Sequence, residues 1–170
     1  MVQRNRARSA VGRSGKTLNA RIPHDPNTIK RGMDITDVPF NKFIEITSVG
    51  QGGSELRLEF SHKLKNHLGT FHAGAQFALA EACSGLILQK HFPHLEGSVL
   101  PVLRRAEVKF KKPAVSNIRA KAEIGKEGKE EFERQLSNKG RASIVVAVDV
   151  ASEDGSVTMS GRYEWFVQKL

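Results

Sequence analysis

The sequence predicts an α+β fold in which one antiparallel sheet of about six strands wraps around a single long helix. Three observations lead there. Between Ala73 and Leu88 the only polar side chains are Gln76, Glu81 and Ser84. Such a run is too long for a strand, too short and too polar for a bilayer span, and apolar around nearly its whole circumference, so it reads as a helix buried on most sides. Two strand-like segments precede it and four follow. A lone helix of this kind needs a sheet large enough to enclose it. The convex back and edges of that sheet would still expose apolar surface, which implies a partner subunit.

The elements follow in order. Residues 1–31 carry eight Lys/Arg against one acid, Asp25, with no apolar period. They cannot bury enough surface to fold alone and are expected to form a disordered basic extension ahead of a domain over 32–170. From Asp34 the chain becomes structured: Asp34-Ile-Thr-Asp37 is a cap-like start, and Val38-Pro39-Phe40 begins a short helical turn. Phe43, Ile44, Ile46 and Val49 suggest a first strand, broken by a tight hairpin at Gly50-Gln-Gly-Gly53. Leu56, Leu58 and Phe60 alternate with Glu55, Arg57 and Glu59, the period of a half-buried strand. After the long helix, Lys90 to Gly97 with Pro93 acts as a stop.

Val99 to Lys111, Ile118 to Ile124, Ala142 to Val150 and Val157 to Val167 then read as strands, the last two joined by an Asp154-Gly155 turn. Between them, Glu130 to Leu136 reads as a helical surface excursion with a Glu130/Arg134 pair and Gly140 as its stop.

Composition narrows the function classes. Hydrophobic content of 39% with 26% charged residues describes a globular chain, and no apolar run is long enough for a membrane helix. One cysteine excludes a disulfide framework and points to a reducing compartment. The net charge of +9 is concentrated in residues 1–31, which hold +7 of it. The domain is nearly neutral, and with 6% aromatic residues no specific nucleic-acid partner is expected. A cytoplasmic location is the simplest expectation, or an organelle matrix if the Arg-rich, acid-poor start is a transit peptide; without a secretory apolar core, export is not expected.

The residues around the long helix carry a resemblance. Asn66-His-Leu-Gly-Thr-Phe-His72-Ala-Gly74, then Leu79-Ala-Glu81-Ala, resembles the hotdog-fold acyl-CoA thioesterases, most nearly the phenylacetate-type branch and its uncharacterised relatives. The family pattern is Asn, six residues to His-Gly-Gly, then an acid eight residues after the first glycine. Asn66, His72, Ala73, Gly74 and Glu81 fall on that spacing. Lys112-Pro113-Ala114, Lys139-Gly-Arg141 and the Asp154-Gly155 hairpin match as well, so the resemblance covers about residues 34–170. Two departures stand out: Ala73 replaces the first glycine, and Ser84, the nearest hydroxyl, does not sit where the family often carries a Ser or Thr beside its acid. The Asp-x4-His arrangement expected of hotdog hydratases is not present.

The resemblance implies hydrolysis of an acyl-CoA to a carboxylic acid and free CoA, with CoA as part of the substrate and no other cofactor or metal. It assigns the Ala73 or Gly74 amide to the oxyanion, and Glu81 to general base or nucleophile. The chemistry fits the residue types, because the first turn of a helix offers free N–H groups and a positive dipole end. Burial should raise the Glu81 pKa. A structural Glu81 paired with an arginine is the competing reading. Asn66 either orients water or the Glu81 carboxylate, or closes the turn before the helix; His72 either supports the oxyanion turn or simply caps the helix. Cys83 reads as an inert core thiol. Eight residues of helix rise about 12 Å, so Glu81 and the Ala73 amide of one chain cannot meet on one carbonyl. The site should therefore be shared by two chains, in a homodimer or a tetramer built from it.

Arg104 is in phase with Ala106, Val108 and Phe110 and would need an anion, either Glu81 or a ligand phosphate. Lys109, Lys111 and Lys112 suit the phosphates of CoA or form a solvated basic edge. The alternative to an enzyme is a non-catalytic hotdog protein that binds acyl-CoA or another thioester as a sensor.

Overall fold

The computed structural model describes residues 33–170, so the expectation of a basic extension over 1–31 lies outside them. Asp34 caps a 3-10 turn over Ile35–Asp37, its Oδ1 accepting the Thr36 amide and hydroxyl at 2.8 Å each. Pro39 then opens α1 (Pro39–Phe43), at a position where its missing N–H is not needed. Phe43 and Ile44, read above as the start of a strand, belong to this helix and its cap. The cause is Asn41, whose buried amide donates to the Ile35 carbonyl at 2.8 Å and fastens the chain into a turn. The first strand, β1 (Thr47–Val49), is correspondingly short. Gly50, Gly52 and Gly53 all take positive φ and return the chain as β2 (Glu55–Leu58), where Leu56 and Leu58 are fully buried.

The long helix is α2 (Ala73–His91), ending in Lys90 and His91 at its negative dipole end, before a 3-10 turn over Pro93–Leu95. The remaining elements are β3 (Val99–Phe110), β4 (Ile118–Glu123), α3 (Lys126–Lys139), β5 (Arg141–Ser152) and β6 (Val157–Lys169). Six strands form one antiparallel sheet in the order β1-β2-β4-β5-β6-β3. The β5–β6 hairpin turns at Gly155 (φ 80°), where Asp154 Oδ1 accepts the Ser156 amide at 2.9 Å. The chain thus has the expected α+β architecture, a six-stranded sheet around one central helix.

The core lies between α2 and one face of that sheet. Alternation supplies it: Ile118, Ala120 and Ala122 from β4, Ile144, Val146, Val148 and Val150 from β5, and Met159, Tyr163, Trp165 and Val167 from β6. α3 is more than a surface excursion. It buries Phe132 and Leu136, and the Phe132 ring packs 4.7 Å from that of Phe92. Its ion pair also differs from expectation: Arg134 makes a two-pronged contact with Glu131, at 2.7 and 2.8 Å, because both carboxylate oxygens match the guanidinium fork. Glu130 instead faces Lys126. Among the described residues no helix is long and apolar enough to cross a membrane.

Candidate active site

The start of α2 is shaped by the loop before it. Asn66 closes that loop with its whole side chain: Oδ1 accepts the Leu68 and Thr70 amides at 2.9 and 3.2 Å, while Nδ2 donates to Thr70 Oγ1 at 2.9 Å and to the Phe71 carbonyl at 3.4 Å. Gly69 at φ 74° completes the turn. Of the two roles open to Asn66, the geometry is that of the turn closer, with its amide fully engaged. Two further bonds fix where the helix begins, from the Phe71 amide to the Ala114 carbonyl and from the His72 amide to the Leu64 carbonyl, both 2.8 Å.

His72 is the N-cap, and its Nδ1 accepts the Gly74 amide at 3.0 Å. An imidazole that accepts at Nδ1 is neutral and carries its proton on Nε2. The Ala75 amide turns to the His72 carbonyl at 3.0 Å. The two expected oxyanion donors therefore separate. The Gly74 amide is occupied by His72, whereas the Ala73 amide makes no hydrogen bond among the described residues, and Ala73 is an exposed residue at the positive end of the helix.

One stripe of α2 escapes the sheet. Ala73 and Gly74 are exposed and Phe77 and Glu81 half-covered, while every residue from Ala82 to Leu88 is buried. The spacing of one helical turn puts Ala73, Phe77 and Glu81 on the same face. Among the described residues the Glu81 carboxylate has no ion pair and no hydrogen bond, and burial pushes its pKa above the ordinary glutamate range. No arginine among the described residues is thus paired with Glu81.

Arg104 lies elsewhere than expected. The register of β3 against β6 shifts between Leu103 and Arg105, inserting Arg104 as an extra residue. That bulge breaks its phase with Ala106 and Val108 and sets the guanidinium over the Phe166 ring, 5.5 Å from its centroid. Phe166 alternates with the buried Trp165 and Val167, so Arg104 sits on the face of the sheet away from α2. Lys109, Lys111 and Lys112 are exposed at the end of β3. The Lys111 and Lys112 amides both reach the Thr158 carbonyl, and Thr158 Oγ1 donates to Gln76 in the second turn of α2 at 2.9 Å. The basic strand end and the helix start are thereby held at the same end of the domain.

Beside the helix start an open groove of about 270 Å³ is lined by Phe40, Ile44, Lys63, Leu64, His72, Gly74 and Ala75. It is apolar along α1 and polar at His72. Cys83 donates its thiol to the Ala120 carbonyl at 3.3 Å, and burial pushes its pKa up to about 12, as an inert core thiol requires. Among the described residues no three of His, Cys, Asp or Glu converge to hold a metal ion.

Two residues near Glu81 escaped the sequence reading. Trp165 Nε1 donates to Ser84 Oγ at 2.9 Å, and that hydroxyl donates to the Glu81 carbonyl at 2.7 Å, so Ser84 is committed to the core. Tyr163 packs its ring against Phe77 with centroids 5.5 Å apart. Both partners come from β6, about 80 residues along the chain, and no local spacing reports such a contact.

Solved structures share this architecture. A Pseudomonas aeruginosa protein of unknown function, named a probable thioesterase, is 19% identical with a TM-score of 0.65, over 80% of this chain and 91% of that one. A Haemophilus influenzae thioesterase is 20% identical with a TM-score of 0.62, over 80% and 87%. A Bacillus halodurans protein, determined with CoA, is 24% identical with a TM-score of 0.59, over 75% and 74%. No curated protein matches the sequence significantly. The family model described as "Domain of unknown function (DUF4442)" matches residues 38–167. The chain belongs to that family, and its fold is the hotdog fold that these solved structures share.

Proposed function

We propose that the protein hydrolyses acyl-CoA thioesters at a site shared by two copies of the chain. The observation that carries this reading is that the Ala73 amide and the partly buried Glu81 carboxylate, neither with a partner among the described residues, lie on one stripe of α2 that the sheet leaves uncovered. Two turns of helix keep them about 12 Å apart within a chain. A second copy facing the stripe would set the Ala73 amide of one subunit against the Glu81 of the other, which also covers Phe77.

In this mechanism the Ala73 N–H and the helix dipole stabilise the negative charge that develops on the thioester oxygen. Glu81 takes a proton from water as the water oxygen bonds to the carbonyl carbon. The carbon–sulfur bond then breaks, and the proton passes to the leaving thiolate to give free CoA and a carboxylic acid. Its raised pKa brings Glu81 nearer to neutrality, where a base both holds and releases a proton. His72 fixes the first turn and presents Nε2–H to the groove, while Asn66 holds the loop that delivers it. Lys111 and Lys112 suit the CoA phosphates, and the groove beside α1 suits the apolar part of the ligand. Arg104, turned to the other face of the sheet, would meet a phosphate only from that side.

Thiol release from a panel of aryl, short and long acyl-CoAs tests the activity, with Glu81→Gln as the control. Turnover that survives in the variant removes Glu81 from the mechanism. Binding of acyl-CoA without turnover in the wild type replaces the hydrolase with a thioester sensor.

A further inference from the structure

The chain has a single tyrosine, and its buried hydroxyl has no hydrogen-bond partner among the described residues. Tyr163 is fully buried on β6, in register with Val146 of β5 and Ala106 of β3. A buried hydroxyl with no hydrogen bond destabilises the fold, a cost that phenylalanine would avoid at nearly the same volume. The sheet is nonetheless built around this ring. Gly161 lies two residues earlier on the same face, and a Cβ there would fall 2.8 Å from Tyr163 Cε2. On the helix side the ring meets Phe77, which stands one turn before Glu81 on the same stripe of α2. The Tyr163 ring therefore packs on α2 one helical turn before the carboxylate that has no partner among the described residues.

Electrostatics agrees with the packing. Burial and then the Glu81 charge both push the Tyr163 hydroxyl pKa up. Its register partners Val146 and Ala106 and the Phe77 ring against it carry no charge.

We propose that Tyr163 is a positioning residue whose hydroxyl donates, through one buried water, to the Glu81 carboxylate, fixing its orientation and favouring its ionised form. A water between two such groups would satisfy both of the polar atoms that the described residues leave open. The consequence for catalysis rests on the hydrolase reading; the hydrogen bond does not.

The experiment uses the full chain, isotope-labelled at the tyrosine Cζ, which yields one resonance. Titrated through the acid range, that resonance moves in a single step in the wild type and stays still in Glu81→Gln. A flat signal in the wild type, or the same step in the variant, overturns the proposal. A second measurement follows the Glu81 side-chain carboxyl in Tyr163→Phe, a change that keeps the ring and its packing. Loss of the donor should raise the proton affinity of Glu81 by about tenfold, and an unchanged midpoint overturns the proposal. If the wild type proves to hydrolyse acyl-CoA, the acid limb of the Tyr163→Phe rate profile moves up with that midpoint. If it does not hydrolyse, the two titrations still decide the hydrogen bond.

Discussion

Trp165 Nε1 and Ser84 Oγ are joined by a hydrogen bond of 2.9 Å across the interface between β6 and α2, and the same hydroxyl donates onward to the Glu81 carbonyl. The contact locks the only tryptophan of the chain to the helix turn that carries the candidate base. Ser84→Ala strands a buried indole N–H, which costs about 1–3 kcal/mol. The variant should unfold at lower denaturant, and the change is read from the single tryptophan's fluorescence. Equal midpoints would show that the indole finds another acceptor.

Gly161 supports the same region by having no side chain. A Cβ would lie 2.8 Å from the Tyr163 ring and 2.9 Å from Val108 Cγ1, both held in place by the sheet. Gly161→Ala should therefore destabilise by about 1–3 kcal/mol through overpacking. Tyr163→Leu in the same background should recover part of that loss, and calorimetry on the single and double variants measures it.

Glu81 links activity to stability. Removing a general base typically costs about 100-fold or more in rate, the loss expected for Glu81→Gln in thiol release. Its stability effect has a definite sign. Burial raises the folded-state pKa above the unfolded value of about 4.3. Below that value both states are protonated and nothing is lost. As pH rises through it and on through the folded value, the buried charge destabilises the fold, fully so above the folded pKa. Glu81→Gln should thus melt higher than wild type at about pH 8 and equally at about pH 4.

His72 permits the cap and the chemistry to be separated. His72→Ala loses the acceptor for the Gly74 amide and should cost about 1 kcal/mol of stability. Asparagine is a strong N-cap, so His72→Asn should keep most of that stability. Full hydrolysis in His72→Asn would leave the imidazole with a capping role alone.

How much of this was legible in the sequence depends on the range of the interaction. The long helix, the alternating strands and the Asp154-Gly155 turn announce themselves because their signals repeat over a few residues. The spacing of Asn66, His72, Ala73 and Glu81 is local too, and two of these residues, Ala73 and Glu81, fall on the stripe of α2 that the sheet leaves uncovered, a stripe that the apolar run did not announce. The misplaced elements have non-local or single-residue causes. Asn41 reaching back to Ile35 turns an apolar segment into a helix, and one bulge at Arg104 reverses the side of the sheet on which a guanidinium lands. Periodicity also cannot say which of two adjacent amides a neighbouring side chain will occupy. Whether Gly74 or Ala73 stays free was decided by one rotamer of His72.

Ala73 gives the strongest test of the shared site. It occupies the first position of α2, where proline fits, and His72 before it has the extended φ −62°, ψ 137° that a following proline prefers. Its amide has no partner among the described residues, so Ala73→Pro deletes one N–H and little else. Loss of an oxyanion donor should lower the rate by about 100–1000-fold without lowering the melting temperature. Ala73→Pro and Glu81→Gln homodimers should then both be nearly inactive. Refolded together, half of the dimers carry one chain of each kind, and in each of those one site combines an intact amide with an intact acid. Activity should return to about a quarter of wild type for a two-fold dimer. A mixture no more active than its components would mean that the amide and the acid do not act across the interface.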